Sequence, residues 1–279
     1  MENLLDGNAI AKRYHKQLKQ HVAELRKKGV QPSLVIYYLG EDPAAEVYFN
    51  AKRKLAQALG IVVYPRRFVR IDEDDLIRQI KNCDDNCEID GIFIELPLPS
   101  HLNARRIRQA VTPDKDVDGI NPISLGQLLM GQATFPPATA MGVIELMRAK
   151  HIVFEGKDVV VVGRSDVVGT PLSLLLKKEN ATVTVCHSKT RHLSEKTRQA
   201  EILCVAVGQP NFIRGDMVQD GAVVIDIGVN VGPNGLVGDV AFSEVHPKAR
   251  WITPVPGGVG PMTSVIVMSN VIQAARRRL

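Results

Sequence analysis

KDVVVVGRSDVVGTPLSLLL, residues 157–176, decides the fold. Asp158 to Gly163 reads as a buried strand, and the apolar run from Leu172 reads as a helix after a short polar turn. Gly163 can make the tight turn after the strand, and Gly169 lets the helix approach the sheet. The helix N-terminus then presents free N–H groups suited to a pyrophosphate. The pattern is G-x-S-x-x-x-G rather than G-x-G-x-x-G, and turns of this kind also serve the fold alone.

The next strand adds a cofactor preference. TVTVC (182–186) runs into HSKTRH (187–192), which contains no acidic residue. A site for NAD usually places Asp or Glu there to bond the ribose hydroxyls. Ser188, Lys189 and Arg191, with Arg164 from the glycine turn, instead suit a 2′-phosphate, so NADP is expected over NAD. A solvated basic loop is the alternative.

Outward from this unit, strand-like runs recur at 33–39, 91–96, 158–163, 182–186, 201–208 and 222–229. Helical patterns lie near 8–28, 43–59, 73–82, 102–110, 141–150 and 167–178. The strands are continuous apolar runs, as in parallel strands covered on both faces. The expected fold class is α/β in two lobes. Residues 1–120 are expected to form one α/β lobe and residues 121–262 the other. The Pro-, Gly- and Asp-rich stretch 112–140 holds the boundary, and a last helix is expected at about 263–277.

Composition narrows the function classes. The 279 residues are 45% hydrophobic, and the longest apolar runs are strand-sized, shorter than the roughly 20 residues of a membrane span. MENLLDGNAI lacks the basic and apolar regions of a signal peptide, so a soluble cytoplasmic protein without membrane partners is expected. The four cysteines (Cys83, Cys87, Cys186, Cys204) are too few for a disulfide framework. The histidines are scattered, and no metal site is expected. Net charge is +5, yet the cations are spread along the chain and aromatics are 5%. Nucleic acid is therefore not expected as a partner, while an anionic small molecule is compatible.

A second stretch, DGIFIELPLPS (90–100), places Glu95 among Phe93, Ile94, Leu96 and Leu98. A carboxylate removed from water costs several kcal/mol unless it is paired. Glu95 also falls near the carboxyl end of its strand, where open parallel sheets bind ligands. Helix 43–59 carries Tyr48 and Lys52 on one stripe with Leu55 and Leu59. Lys52 either snorkels to water or is desolvated and usable as a base. In the second case Lys52 is the partner to name for Glu95.

Taken together, the motifs resemble the bifunctional methylenetetrahydrofolate dehydrogenase/methenyltetrahydrofolate cyclohydrolase family. The likeness spans almost the whole chain. It is carried by GEDPA…Y…K (40–52), LPLP (96–99), PDKDVDGINP (113–122), GRSDVVGTP (163–171), CHSKT (186–190), VAVGQP (205–210), DIGVN (226–230), GDV (238–240) and ITPVPGGVGPMT (252–263). The resemblance implies a homodimer in one-carbon metabolism, with a folate cleft between its lobes and NADP as cofactor. Residues 1–120 are then the N-terminal α/β catalytic domain, to which the C-terminal helix segment 263–279 returns, and residues 121–262 the Rossmann-like NADP-binding domain. Hydride passes from 5,10-methylenetetrahydrofolate to NADP, and water opens the methenyl product to 10-formyltetrahydrofolate.

The resemblance also implies residue roles. Lys52 matches the catalytic lysine, Tyr48 the folate-stacking tyrosine and Asp118 the aspartate that holds the pterin, with Glu95 beside them. Cofactor contacts fall to Gly163, Arg164, Ser165, Gly169, Ser188, Gly208 and Ile227. Pro256, Gly257 and Gly258 lie on the substrate side, and the substrate's glutamate tail suits a basic chain. Three positions depart from the family pattern. Glu95 stands in place of glutamine, Ala138 and Ala140 replace the cysteine and second proline of PCTP, and Ala45 replaces the serine of DPAS. A carboxylate beside Lys52 favours its ammonium form, so ring opening is expected to be weak while hydride transfer survives. The alternatives are a non-catalytic folate-binding paralogue and an NADP oxidoreductase of another pterin-like substrate.

Overall fold

The computed structural model describes residues 3–233 and 235–279, without the side chain of Ala44. Met1 and Glu2, the first residues of the expected N-terminal domain, lie outside the described residues. The chain divides into two compact units. One comprises Arg13–Ala138 and Ser264–Leu279; the other comprises residues up to Lys12 and Thr139–Thr263.

In the first unit, α1 (Gly7–Lys27) leads to β1 (Ser33–Leu39), α2 (Pro43–Leu59), β2 (Val62–Phe68), α3 (Glu73–Asp85) and β3 (Gly91–Ile94). Then come α4 (Ala104–Gln109), α5 (Pro122–Leu129) and the start of α6 (Ala138–Arg148). The three strands form a parallel sheet in the order β2-β1-β3. All seven residues of the central β1 are buried. Strand β2, absent from the sequence reading, is the edge strand. It contains Pro65, Arg66 and Arg67 and is largely exposed, so it lacks the apolar run that marks an inner strand. Helix α2 starts where Asp42 accepts a bond from Ala45 N–H at 2.8 Å and Pro43 takes the first turn. It stops at Gly60, whose φ of 87° is the left-handed cap conformation.

The second unit continues with β4 (Asp158–Val162), α7 (Gly169–Lys178), β5 (Thr182–Cys186), α8 (Leu193–Thr197), β6 (Ile202–Val205) and β7 (Val223–Asp226). After a small hairpin, β8 (Asn230–Gly232) and β9 (Gly235–Val237), come α9 (Phe242–Val245), β10 (Trp251–Ile252) and the first turn of α10 (Val259–Arg276), whose remainder from Ser264 belongs to the first unit. The five long-sheet strands run parallel in the order β10-β7-β6-β4-β5. Strand β4 thus has β5 on one side and β6 on the other. The crevice between β4 and β6, where the winding reverses, is the switch point at which such sheets bind nucleotides. Helix α10 begins at Val259, four residues before the expected start. Pro261 sits in its first turn, where a missing N–H breaks no helical bond.

The two compact units and the expected domains have different bounds. The border lies at Ala138/Thr139 rather than at 120/121, and the first residues of the chain belong to the second unit. Leu5 N–H bonds Ile252 O at 2.8 Å and Ile252 N–H bonds Asn3 O at 3.0 Å, adding the N-terminus to the edge of the second sheet. Residues beyond 112 stay with the first unit through Ile92 N–H to Lys115 O at 2.8 Å and Asn270 Nδ2 to Val117 O at 2.9 Å. Both sets of bonds join residues far apart in sequence, which composition does not reveal.

Candidate active site

Helix α2 buries Ala45, Phe49, Lys52, Ala56 and Leu59, spaced by alternating fours and threes along one stripe. Lys52 therefore occupies a core position and does not snorkel. Its Nζ lies 2.9 Å from Glu95 Oε1 and 3.0 Å from Oε2, and the two side chains are 5% and 7% exposed. The Phe93 ring lies 4.7 Å and the half-buried Tyr48 ring 5.5 Å from the same nitrogen, measured to their centroids. Glu95 follows β3 directly and continues its ladder, donating its N–H to Tyr37 O at 2.9 Å. The carboxyl end of the sheet thus holds the Glu95 carboxylate against a lysine from the crossing helix. Burial pushes the Glu95 carboxyl above its ordinary range, and Lys52 pulls it part of the way back. Burial and the Glu95 charge also raise the Tyr48 hydroxyl.

Asp118 completes this group. Gly119, with φ of 70°, turns the chain so tightly that a Cβ there would lie 2.5 Å from Phe135 O. The Asp118 carbonyl accepts from Ala138 N–H at 2.9 Å. Its carboxyl is pushed up to about 7, first by burial and then by Asp116, while Lys52 opposes the rise. The neighbouring Asp116 is satisfied differently, accepting from Gly119 N–H at 3.1 Å, Asn121 N–H at 2.7 Å and Ser124 Oγ at 3.0 Å.

In the second unit, the expected cofactor residues follow the carboxyl ends of adjacent strands. Val162 is in register with Cys186 and with Val205, and Val205 with Asp226. Gly163, the His187–Ser188 loop, the Ala206–Gly208 segment and Ile227 therefore share one sheet edge. Gly163 has φ of 125°, and a Cβ on it would lie 2.2 Å from Ala206 O. A Cβ on Gly169 would lie 2.2 Å from Gly163 O. Ser165 Oγ accepts from Val168 N–H at 3.1 Å and Gly169 N–H at 3.4 Å, closing the turn into α7. Arg164, Ser165 and Ser188 are exposed at this edge. Pro256, Gly257 and Gly258 precede α10, and Asn8 N–H bonds Gly257 O at 3.2 Å. The exposed basic edge, with no acid in the β5 loop, fits a phosphorylated dinucleotide.

The sequence reading missed two buried aspartates of this unit, Asp226 and Asp239, both less than 5% exposed. The signal was present, since each carboxylate interrupts an apolar run much as Glu95 does.

A doubly wound parallel sheet with a glycine turn at its switch point defines a dinucleotide-binding α/β protein. The family model for the tetrahydrofolate dehydrogenase/cyclohydrolase catalytic domain matches residues 5–118, and that for its NAD(P)-binding domain matches residues 137–279. The chain belongs to the tetrahydrofolate dehydrogenase/cyclohydrolase family. It is 45% identical over 278 residues to the bifunctional protein FolD of Bacillus velezensis, covering 99% of this chain and 98% of that one. The solved FolD methylenetetrahydrofolate dehydrogenase/cyclohydrolase of Campylobacter jejuni superposes with a TM-score of 0.94 at 40% identity, over 99% of each chain. The Trypanosoma brucei enzyme, solved with NADP and an inhibitor, gives 0.93 at 36% identity over 98% and 97%.

Removing Lys52 leaves a buried, unpaired Glu95. Lys52→Met is expected to destabilise the protein by about 3–5 kcal/mol in urea unfolding, and adding Glu95→Gln should recover most of the loss. Equal instability of the single and double variants would show that the pair is not a coupled unit.

The Asp118 carboxyl, at about 7 in the fold against an ordinary 3.8, binds a proton that the unfolded chain releases in that interval. Its stabilising contribution is present below 3.8 and is lost as pH rises through about 7. Asp226, also near 7, acts in the same direction. The urea midpoint is expected to fall from pH 5 to pH 8, and to fall less in Asp118→Asn. The same decline in both proteins would remove Asp118 as a contributor.

Proposed function

We propose that the chain oxidises 5,10-methylenetetrahydrofolate with NADP and opens the methenyl product to 10-formyltetrahydrofolate, the second step being slow at neutral pH. In the first step the methylene carbon gives a hydride to NADP and becomes the methenyl cation. In the second, water adds to that carbon and loses one proton; the resulting hydroxyl becomes the formyl carbonyl as the bond to the 5-nitrogen breaks, and its proton passes to that nitrogen. The observation that carries the reading is the buried Lys52–Glu95 pair at the carboxyl end of the first sheet, within the segment matched by the catalytic-domain model.

In this reading Tyr48 stacks on the folate ring, Asp118 bonds it, and Pro256, Gly257 and Gly258 contact substrate. Gly163, Arg164, Ser165, Gly169, Ser188, Gly208 and Ile227 hold the cofactor. Lys52 takes the proton from water, for which it must first release its own. Hydride transfer depends mainly on orientation of the two partners and needs no such release. The carboxylate of Glu95 accepts two short bonds from Lys52 Nζ, which must loosen before the amine can turn to water. It also favours a nearby cationic product, so the pair supports the first step and slows the second.

A basic chain of net charge +5 suits folates with polyglutamate tails. No described helix is long and apolar enough to cross a membrane, and all four cysteines are free thiols, in keeping with a reducing cytoplasm. A homodimer that binds no nucleic acid rests on the resemblance and on the dispersed charge.

Arg164→Ala is expected to raise KM for NADP more than for NAD, by the loss of a charge-assisted bond of roughly 1.5–3 kcal/mol. Equal effects on both cofactors would show that Arg164 does not read the 2′-phosphate.

Glu95→Gln is expected to speed ring opening at pH 7 by about tenfold, because the carboxylate that accepts two bonds from Lys52 Nζ is removed. A native rate that is already fast at pH 7 and unaltered in this variant would overturn the role given to Glu95.

A further inference from the structure

We propose that Asp239 is a positioning residue for the cofactor, its buried carboxylate fixing the Val207–Gln209 turn on which the nicotinamide half of NADP lies. The inference rests on the cofactor reading above and adds a residue to it. Asp239 is 0% exposed. Its Oδ2 accepts from Val207 N–H at 2.6 Å and Gly208 N–H at 2.9 Å, and its Oδ1 from Gln209 N–H at 2.9 Å and Asn230 Nδ2 at 2.9 Å. Three successive backbone N–H groups converging on one anion form a nest. Here an internal carboxylate fills the nest.

The chain makes room for this carboxylate. A Cβ on Gly228 would lie 2.0 Å from Asp239 Cγ, so a side chain there would displace it. The aspartate is itself held by a second one. Asp226 accepts from Asp239 N–H and from Val240 N–H, each at 2.9 Å, and a Cβ on Gly238 would lie 1.8 Å from Asp226 Oδ2. Burial foremost, with a contribution from the Asp239 charge, pushes the Asp226 carboxyl up to about 7. Two carboxylates that face each other without a cation raise each other's energy, and the backbone N–H groups offset that cost.

The location gives the device its purpose. Ala206 N–H bonds Val162 O at 2.8 Å, and Ala206 O is the atom that excludes a side chain from Gly163. The Val207–Gln209 turn therefore stands at the switch point, on the β6 side of the glycine turn. The 2′-phosphate is read on the opposite side, beyond β5, at Ser188. A dinucleotide with its pyrophosphate at the α7 N-terminus must lay its other half over β6. An asparagine at 239 offers one acceptor oxygen, and its NH₂ would meet the remaining donors, so the turn would lose its shape without loss of side-chain volume.

The test is calorimetric titration of the full-length protein, Asp239→Asn and Asp239→Ala with NADP and with 2′,5′-ADP, which carries the 2′-phosphate but no nicotinamide half. Both variants are expected to bind NADP roughly tenfold more weakly while 2′,5′-ADP binding is unchanged. NADP binding equal to the unmodified protein would overturn the proposal, as would equal weakening of both ligands, which would reveal a purely structural role. If neither variant folds, Asn230→Ala, which removes one bond from the same carboxylate, is put through the same comparison. An unmodified protein that binds neither ligand would overturn the cofactor reading itself, and this proposal with it.

Discussion

A lysine and a glutamate buried against each other at the end of a parallel sheet set the terms for the first unit. Neither charge could remain in that position alone. The helix that supplies Lys52 must cross the sheet where β3 ends, and Glu95 must arrive just as the ladder gives out. Asp42 and Gly60 fix the ends of the helix, and the bond from Glu95 N–H to Tyr37 O fixes the strand. In the function proposed above, the partnership that makes the pair tolerable also occupies the amine that would activate water. Glu95 would then link the stability of the core to the balance between two chemical steps.

Buried carboxylates recur across the molecule, and each is satisfied differently. Glu95 has a cation. Asp116 has backbone and hydroxyl donors that hold the turn leading into α5. Asp239 has a nest of N–H groups, and Asp226 holds Asp239 in place. Asp118, whose carboxyl sits near 7, lies among like charges, a condition in which a group changes protonation easily. Groups satisfied by the backbone shape loops.

Much of this was readable from residue order. The continuous valine run closed by Gly163 announced parallel strands and a nucleotide turn. Glu95 and Lys52 were identifiable because a charged residue inside an apolar pattern requires a reason. The edge strand β2 was hidden because Pro65 and two arginines erase the apolar signal, although its backbone pairs with β1 throughout. The border between the compact units differs from the expected one because Lys115 and Val117 bond back to Ile92 and Asn270, and the N-terminal residues bond to Ile252, pairings that depend on the folded chain. Asp239 interrupts an apolar run and could have been noticed, but its role could not be read from residue order. The donors it collects come from residues 207–209 and 230, and only the fold brings those groups to one point.

The central claim is that the charge pair lets the chain make the methenyl cation faster than it opens it. The direct test is a time course of the purified protein with methylenetetrahydrofolate and NADP at neutral pH. It follows methenyl absorbance and NADPH together, with the enzyme-free opening rate subtracted. The account predicts that the methenyl species accumulates nearly in step with NADPH and then decays slowly, with less accumulation as pH is raised. Formation of 10-formyltetrahydrofolate in step with NADPH at pH 7, with no methenyl species building up, would contradict it.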